Sequence, residues 1–505
     1  MSRKPEPPGN GKFPAAVFLA ALGVRLLFLF YVFPAGTWVG KYWELGLRLR
    51  GVVGPLPAPF FSSPWYVSLT ALLQAAGFGP LDVRLGQCLV GAANCVLIWW
   101  AGRFFFRENV SRLASAVSVV YFPLVLYDCT LLPATWAIFF NLWALGFAGR
   151  WLGSRRHRDL WGAGIWLGLS IVTRPNALLF ALGTAAFVFW KGRGALPRRL
   201  GRGLIPLLGA LAAVVPVTLW NVLAGSAPVP VTASGGWVFY CANNPNANGF
   251  AYAPPPGLDE LAISYYASPG EKLGYTEHLF SQVLASRNAG RSLSAAEASA
   301  YWFARGREYI SENPGAYLLL LGRKLAAALN RYEPHDLPEV IERAAAGARL
   351  PALGILFPLA LSGFFLHRAR NTALPRIYLG AYFFSFLILY VTPRYRLAAV
   401  PVLVLFAAGF AVDLAACFRR RDARGVALGL IAVALFTGLS WARIPDLEED
   451  RCCKRPAFLA EWRGLTDLRN GDWARAELHF QEALRLFPDS GRARMGLEAA
   501  RRNRN

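Results

Sequence analysis

The chain has 505 residues, 55% of them hydrophobic and only 16% charged, with apolar runs close to the roughly 20 residues that cross a bilayer. That composition excludes a water-soluble globule. The net charge of +23 lies mostly in short loops between apolar runs, so it reads as a topological signal and not as a nucleic-acid surface.

In chain order the apolar runs cover 14–33, 85–102, 113–127, 131–149, 160–173, 176–190, 203–222, 350–366, 377–391, 397–417 and 425–441. They predict an all-α polytopic membrane protein of about eleven transmembrane helices. With residues 1–13 inside, 22 lysines and arginines fall in alternate short loops on the inner side, against Arg174, Arg394 and Arg396 in the outer turns. The expected location is a bacterial inner membrane, with the N-terminus cytoplasmic and the C-terminus extracytoplasmic. The first run is long enough to span, and Pro34 and the residues after it lack a small-x-small site, so it reads as an anchor and not a cleaved signal.

This topology puts residues 34–84, 223–349 and 443–505 outside. In the first outer loop, Lys41, Tyr42 and Glu44 precede a helical-period stretch from Ser63 to Gln74, expected as an amphipathic helix at the membrane surface. The large loop opens with Gly235-Gly236 and Asn243-Asn244-Pro245, which predict tight turns whose amides are available to a sugar. Ser294 and Glu297 form a capping box before a helix through Trp302 and Tyr309, and a second helix after Asn313-Pro314 carries Lys324. Seven scattered cysteines offer no metal-ligand spacing, so no metal or cofactor is named; adjacent Cys452 and Cys453 have no evident partner, Cys241 being one conceivable choice.

The tail, 443–505, is a separate domain from 1–442. Gly464, Gly471, Ala476, Phe480, Ala483 and Pro488 have the spacing of a tetratricopeptide repeat, expected to pack as one hairpin with a capping helix against the membrane domain or a protein partner.

Several short motifs share an order: Ser63-Pro64-Trp65-Tyr66, Thr173-Arg174-Pro175-Asn176, Pro216 to Asn221, Gly235-Gly236, Asn243-Asn244-Pro245, Lys324, Tyr332-Glu333 and Arg394-Tyr395-Arg396-Leu397. Together they make about residues 14–440 resemble the GT-C superfamily of membrane glycosyltransferases, and within it the dolichyl-phosphate-mannose-protein mannosyltransferase-like family. The resemblance implies transfer of a sugar from a polyprenyl-phosphate donor to an acceptor on the extracytoplasmic face. Cleaving a glycosyl phosphate needs a stabilised departing oxyanion, for which Arg394 and Arg396, then Arg174 and Lys324, are the candidates. Tyr42, Tyr395, Glu333, Asn243 and Asn244 are further candidate substrate-binding residues. Relatives place an Asp just before a Tyr in the first outer loop, but Trp38, Val39, Gly40 and Lys41 precede Tyr42 here. Glu44 and Asp128 are therefore the candidate acids. An active transferase and a degenerate member that binds lipid-linked sugar both stay open; a transporter would show paired interrupted spans, which the sequence lacks.

Overall fold

The computed structural model describes residues 11–32, 40–54, 56–225, 227–268, 276–333, 353–367, 369 and 371–504, and among these it is helical, with no strand. Arg3, Lys4, Arg368 and Arg370 of the inner-side cations, with Trp38 and Val39, lie outside the described residues. The first ten helices are α1 (Lys12–Val32), α2 (Gly40–Leu49), α3 (Pro64–Ala75), α4 (Pro80–Gly102), α5 (Glu108–Val120), α6 (Phe122–Asp128), α7 (Ala134–Ser154), α8 (His157–Thr173), α9 (Ala177–Lys191) and α10 (Leu196–Gly225). The large loop folds as α11 (Gly235–Ala242), α12 (Leu258–Ala267), α13 (Glu277–Ala289), α14 (Ala295–Glu312) and α15 (Pro314–Leu329). The chain then returns as α16 (Leu353–Leu366), α17 (Ala373–Ile388), α18 (Pro393–Arg419) and α19 (Ala423–Trp441), and ends in α20 (Arg455–Asn470), α21 (Trp473–Leu486) and α22 (Gly491–Arg504).

Among the described residues each apolar run of the sequence falls mainly on one helix, except 113–127, which is divided between α5 and α6. By length and composition α1, α4, α10, α18 and α19 are able to cross a membrane, and α5 with α6 makes a sixth span, bent by 59°. The bend falls where Pro123, in the first turn of α6, removes a backbone donor. Three more apolar helices, α9, α16 and α17, are shorter. The remaining two of the eleven, α7 and α8, are central, and they share a polar contact inside the bundle: Asn141 donates to the Tyr382 hydroxyl at 2.6 Å and accepts from Ser170 at 2.8 Å. Helices at the periphery instead expose large apolar side chains, such as Leu27 and Phe30 of α1, Leu208 and Leu219 of α10, and Ile431 and Leu435 of α19. Only lipid suits such faces.

Small residues bring the helices together. A Cβ on Gly164 of α8 would lie 2.5 Å from the Pro206 carbonyl oxygen of α10, so bulkier residues would force the pair apart. The helices run to and fro. At one end, the α7–α8 and α9–α10 turns are joined by Arg155, which donates to the Lys191 carbonyl at 3.1 Å, while Arg202 closes the α9–α10 turn on itself by donating to the Arg193 carbonyl at 2.7 Å. At the other end the α8–α9 turn, the start of α18, and α2 meet around a cavity.

Outside the bundle, Ser63 caps α3, and Tyr66, Val67, Thr70 and Ala71 bury one face of this helix in the protein while Leu72 is exposed on another. The capping box at Ser294 and Glu297 starts α14 as its spacing predicts. Gly235-Gly236 does not form a turn but opens α11, where Gly236 lets the helix press against the Ser299 backbone of α14.

In the tail, Phe480 is fully buried and wedged between Gly464 and Gly496, which explains the small-residue spacing. Two of the tail helices, α20 and α22, pack on α12. Arg492 reaches across to Asp259 at 2.6 Å and to Glu461 at 3.4 Å, and Tyr266 of α12 seals the tail's apolar core. Cys452 and Cys453 are bonded to each other and Cys241 is a buried free thiol, so the pairing with Cys241 is not formed.

Candidate functional site

The cavity where the α8–α9 turn, the start of α18 and α2 meet has a volume of about 530 Å³. Its lining combines apolar side chains, Leu132, Ile171, Leu178, Leu179, Ile388 and Leu389, with polar ones, Lys41, Tyr42, Arg174, Glu277, Arg394 and Tyr395.

Arg174 is placed by the chain's grammar. Pro175 disfavours helical geometry at the residue before it, and Arg174 is extended, with φ −145° and ψ 108°, so its side chain swings off the end of α8. Its guanidinium lies 5.2 Å from the Tyr395 ring centre. Arg394 lies 5.5 Å from the same ring, so the two cations flank one aromatic face-bearing residue, a cation–π arrangement that holds them near each other. Arg174 is 8% exposed and its Nε is buried without a hydrogen-bond partner in the protein. Arg174, at the end of α8, and Arg394, in the first turn of α18, thus bring two guanidinium groups to one cavity, a donor set suited to an anion.

Arg396 has a different part. It is 1% exposed and donates to the carbonyls of Ala327 at 3.3 Å, Asn330 at 2.8 Å and Tyr332 at 2.6 Å, tying the end of α15 to α18. Ala327 lies in the last turn of α15 and Asn330 and Tyr332 just beyond it, where carbonyls run out of helical donors, and the buried guanidinium serves all three. Its expected place on a lipid phosphate is not what the geometry gives. Glu333 sits in the field of Arg396; burial lifts its carboxyl to about 6 against that attraction.

Lys324 is also fully buried, donating to Asn243 Oδ1 at 2.8 Å and the Leu387 carbonyl at 3.0 Å, and burial brings its ammonium down to about 7. Asn243 spends its amide on the carbonyls of Phe239 and Ile388, and Asn244 spends its own on Tyr240 and Ala253. These amides build the loop and are not directed at a sugar. Lys324, Asn243, Asn244, Glu333 and Arg396 are not among the residues that line the cavity.

The two candidate acids are engaged elsewhere. Glu44 pairs with Arg48 one helical turn on, and Asp128 pairs with Arg25 at 2.8 Å while accepting from Thr135 at 2.7 Å. Neither lines the cavity. The carboxylate that does is Glu277, 3.8 Å from Lys41, and it escaped the sequence reading because it carries no motif and sits 233 positions beyond Glu44. Tyr42 and Tyr395 both line the cavity, Tyr42 with its ring edge-on to Tyr66 at 5.0 Å. Among the described residues no group of three or more His, Cys, Asp or Glu side chains is arranged to hold a metal ion.

Residues 58–220 match the sequence profile of the family described as dolichyl-phosphate-mannose-protein mannosyltransferase. No curated protein matches the chain. Among solved structures, the Archaeoglobus fulgidus oligosaccharyltransferase AglB, in complex with an inhibitory peptide and a dolichol-phosphate, is 13% identical over 95% of this chain and 60% of its own, at a TM-score of 0.44. The same archaeal enzyme with a tethered acceptor peptide is 14% identical over 92% of this chain and 59% of its own, with the same TM-score of 0.44. ArnT from Cupriavidus metallidurans bound to undecaprenyl phosphate is 14% identical, covering 98% of this chain and 78% of that one, again at 0.44. The chain thus spans about three fifths of the length of the archaeal enzyme. Over residues 58–220, which supply Arg174 and much of the cavity's apolar wall, the chain carries the pattern of the dolichyl-phosphate-mannose-protein mannosyltransferase family.

Proposed function

We propose that this membrane protein transfers a sugar from a polyprenyl-phosphate donor to an acceptor on the extracytoplasmic face. The observation that carries the reading is the placing of Arg174 and Arg394 about Tyr395 in a cavity that is otherwise lined largely by apolar side chains. A polyprenyl phosphate has the matching two-part chemistry. Its chain suits the wall of Leu132, Ile171, Leu178 and Leu179, and its phosphate suits two permanently charged forks. When the glycosyl–phosphate bond breaks, negative charge grows on the departing oxygen, and fixed cations in a site screened from water stabilise it more in the transition state than in the ground state.

The same reading places the cavity and the tail outside. The turns that carry Arg155 and Arg202 lie at the opposite end of α8 from Arg174, and the bias of lysine and arginine toward alternate short loops supports a cytoplasmic placement for them. The tail is then held outside as a tetratricopeptide-like hairpin, docked on α12 and open to a protein partner on its other faces. The family's acid is missing from the first outer loop, and Glu44 and Asp128 are both ion-paired away from the cavity. That observation favours a second reading, a lipid-phosphate-binding protein without turnover, unless another carboxylate serves.

The test is transfer itself. The full chain in proteoliposomes is given undecaprenyl phosphate carrying radiolabelled mannose or glucose, with an envelope extract as the source of acceptors. Label moving to acceptor, and lost in Arg174→Ala, supports the proposal. Lipid-phosphate binding without any transfer would move the protein to the second reading.

A further inference from the structure

We infer that Glu277 is the carboxylate that takes the acceptor's proton, an inference that rests on the transfer reading above. Among the described residues it is the single Asp or Glu lining the cavity that Arg174 and Arg394 also line. It is the first residue of α13, where a carboxylate faces the positive end of the helix. Lys41 Nζ lies 3.8 Å from Glu277 Oε2, fixing the carboxylate against α2.

The helix that carries it is itself anchored on three sides. Trp302 of α14 donates to the Ser281 carbonyl at 2.9 Å, and Phe280 is buried with its ring 5.6 Å from that of Tyr265. Tyr266 Oη is 3.0 Å from Oγ1 of Thr276, the residue just before Glu277, and the Tyr266 ring is the one that seals the tail's core. The tail therefore bears on the start of α13 through one tyrosine. A carboxylate so held is preorganised, which a proton acceptor in a displacement at carbon requires.

The step balances without any further reagent. The acceptor's nucleophilic O–H or N–H attacks C1 of the donor sugar, the C1–O bond to phosphate breaks, and its electron pair leaves with the polyprenyl phosphate between Arg174 and Arg394. The acceptor proton passes to Glu277. Nothing is oxidised or reduced.

The experiment compares Glu277→Gln, Glu277→Asp and Glu44→Gln in the reconstituted full chain, with undecaprenyl-phosphate mannose and undecaprenyl-phosphate glucose as donors and undecaprenyl phosphate as the binding probe. Glu277→Gln should lower kcat by at least roughly 100-fold, the low end of a proton-transfer contribution. Its Kd for undecaprenyl phosphate should stay within about threefold of wild type, which also reports that it folds. Glu277→Asp should recover at least about tenfold over Gln, and the loss in Glu44→Gln should be at least about tenfold smaller. An active wild type with Glu277→Gln equally active overturns the assignment and leaves the transfer reading standing. A wild type that binds the lipid phosphate but transfers neither sugar overturns the transfer reading, and Glu277's role with it.

Discussion

Replacing Arg394 and Arg396 one at a time should separate two tasks that adjacent alternate positions in the sequence make look alike. Arg394 lines the cavity, so Arg394→Ala removes one charge-assisted contact to phosphate, worth about 1.5–3 kcal/mol. At about 1.4 kcal/mol per decade that is a rise of roughly 10- to 150-fold in the Kd for undecaprenyl phosphate, with little change in stability. Arg396 is 1% exposed and holds three carbonyls at 2.6–3.3 Å. Arg396→Ala leaves the Asn330 and Tyr332 carbonyls without that donor and opens a cavity beside the end of α15, which should cost about 3–5 kcal/mol of stability at about 1–3 kcal/mol for each carbonyl left unsatisfied. Both quantities are readable on the same detergent-solubilised protein, by titration with fluorescent undecaprenyl phosphate and by thermal unfolding. Equal loss of affinity at unchanged melting temperature in both variants would refute the division of roles. So would an Arg394→Ala protein that binds as wild type does.

Asp128→Asn should behave as a folding mutant, because it leaves the Arg25 guanidinium buried beside a neutral amide; a loss of about 3–5 kcal/mol is expected, whereas lost transfer at full stability would return Asp128 to the catalytic candidates. In the tail, Phe480→Ala should cost about 3–5 kcal/mol and release the hairpin to limited proteolysis, and Arg492→Ala should loosen the tail from α12 with a smaller loss and a fall in turnover through Tyr266; unaltered turnover would uncouple the tail from the site. Glu333 gives a pH signature. Its carboxyl is raised from 4.5 to about 6 by burial, so its contribution is complete below about pH 4.5 and is lost as pH rises through 6, on the order of 2 kcal/mol by pH 7. Glu333→Gln should therefore gain on wild type in thermal stability between those pH values, and parallel curves would contradict the burial argument.

Hydropathy alone located all eleven apolar runs on helices, because a bilayer leaves the backbone no other choice. What it could not separate was a lipid-facing span from a central helix such as α7, whose Asn141 finds its partners on α8 and α17. The site was half legible. Thr173-Arg174-Pro175-Asn176 and Arg394-Tyr395 announce themselves, since an arginine in an outer turn is rare and Pro175 sets its backbone. Arg396 and Lys324 look identical to them in sequence, and only the three carbonyls around Arg396 and the amide at Lys324 show that those charges are spent inside the protein. Asn243 and Asn244 failed as sugar ligands for the same reason: a buried amide serves the nearest backbone first. Glu277 was invisible because its meaning comes from proximity to Lys41 in another loop, which no local pattern encodes.

The most direct measurement is a structure of the full chain in a nanodisc with undecaprenyl phosphate. The account predicts the phosphate between the Arg174 and Arg394 guanidinium groups beside Tyr395, with the first isoprene units along Ile171, Leu178 and Leu179. A phosphate seated instead among the cationic turns at Arg155 and Arg202, at the opposite end of the bundle, would contradict it.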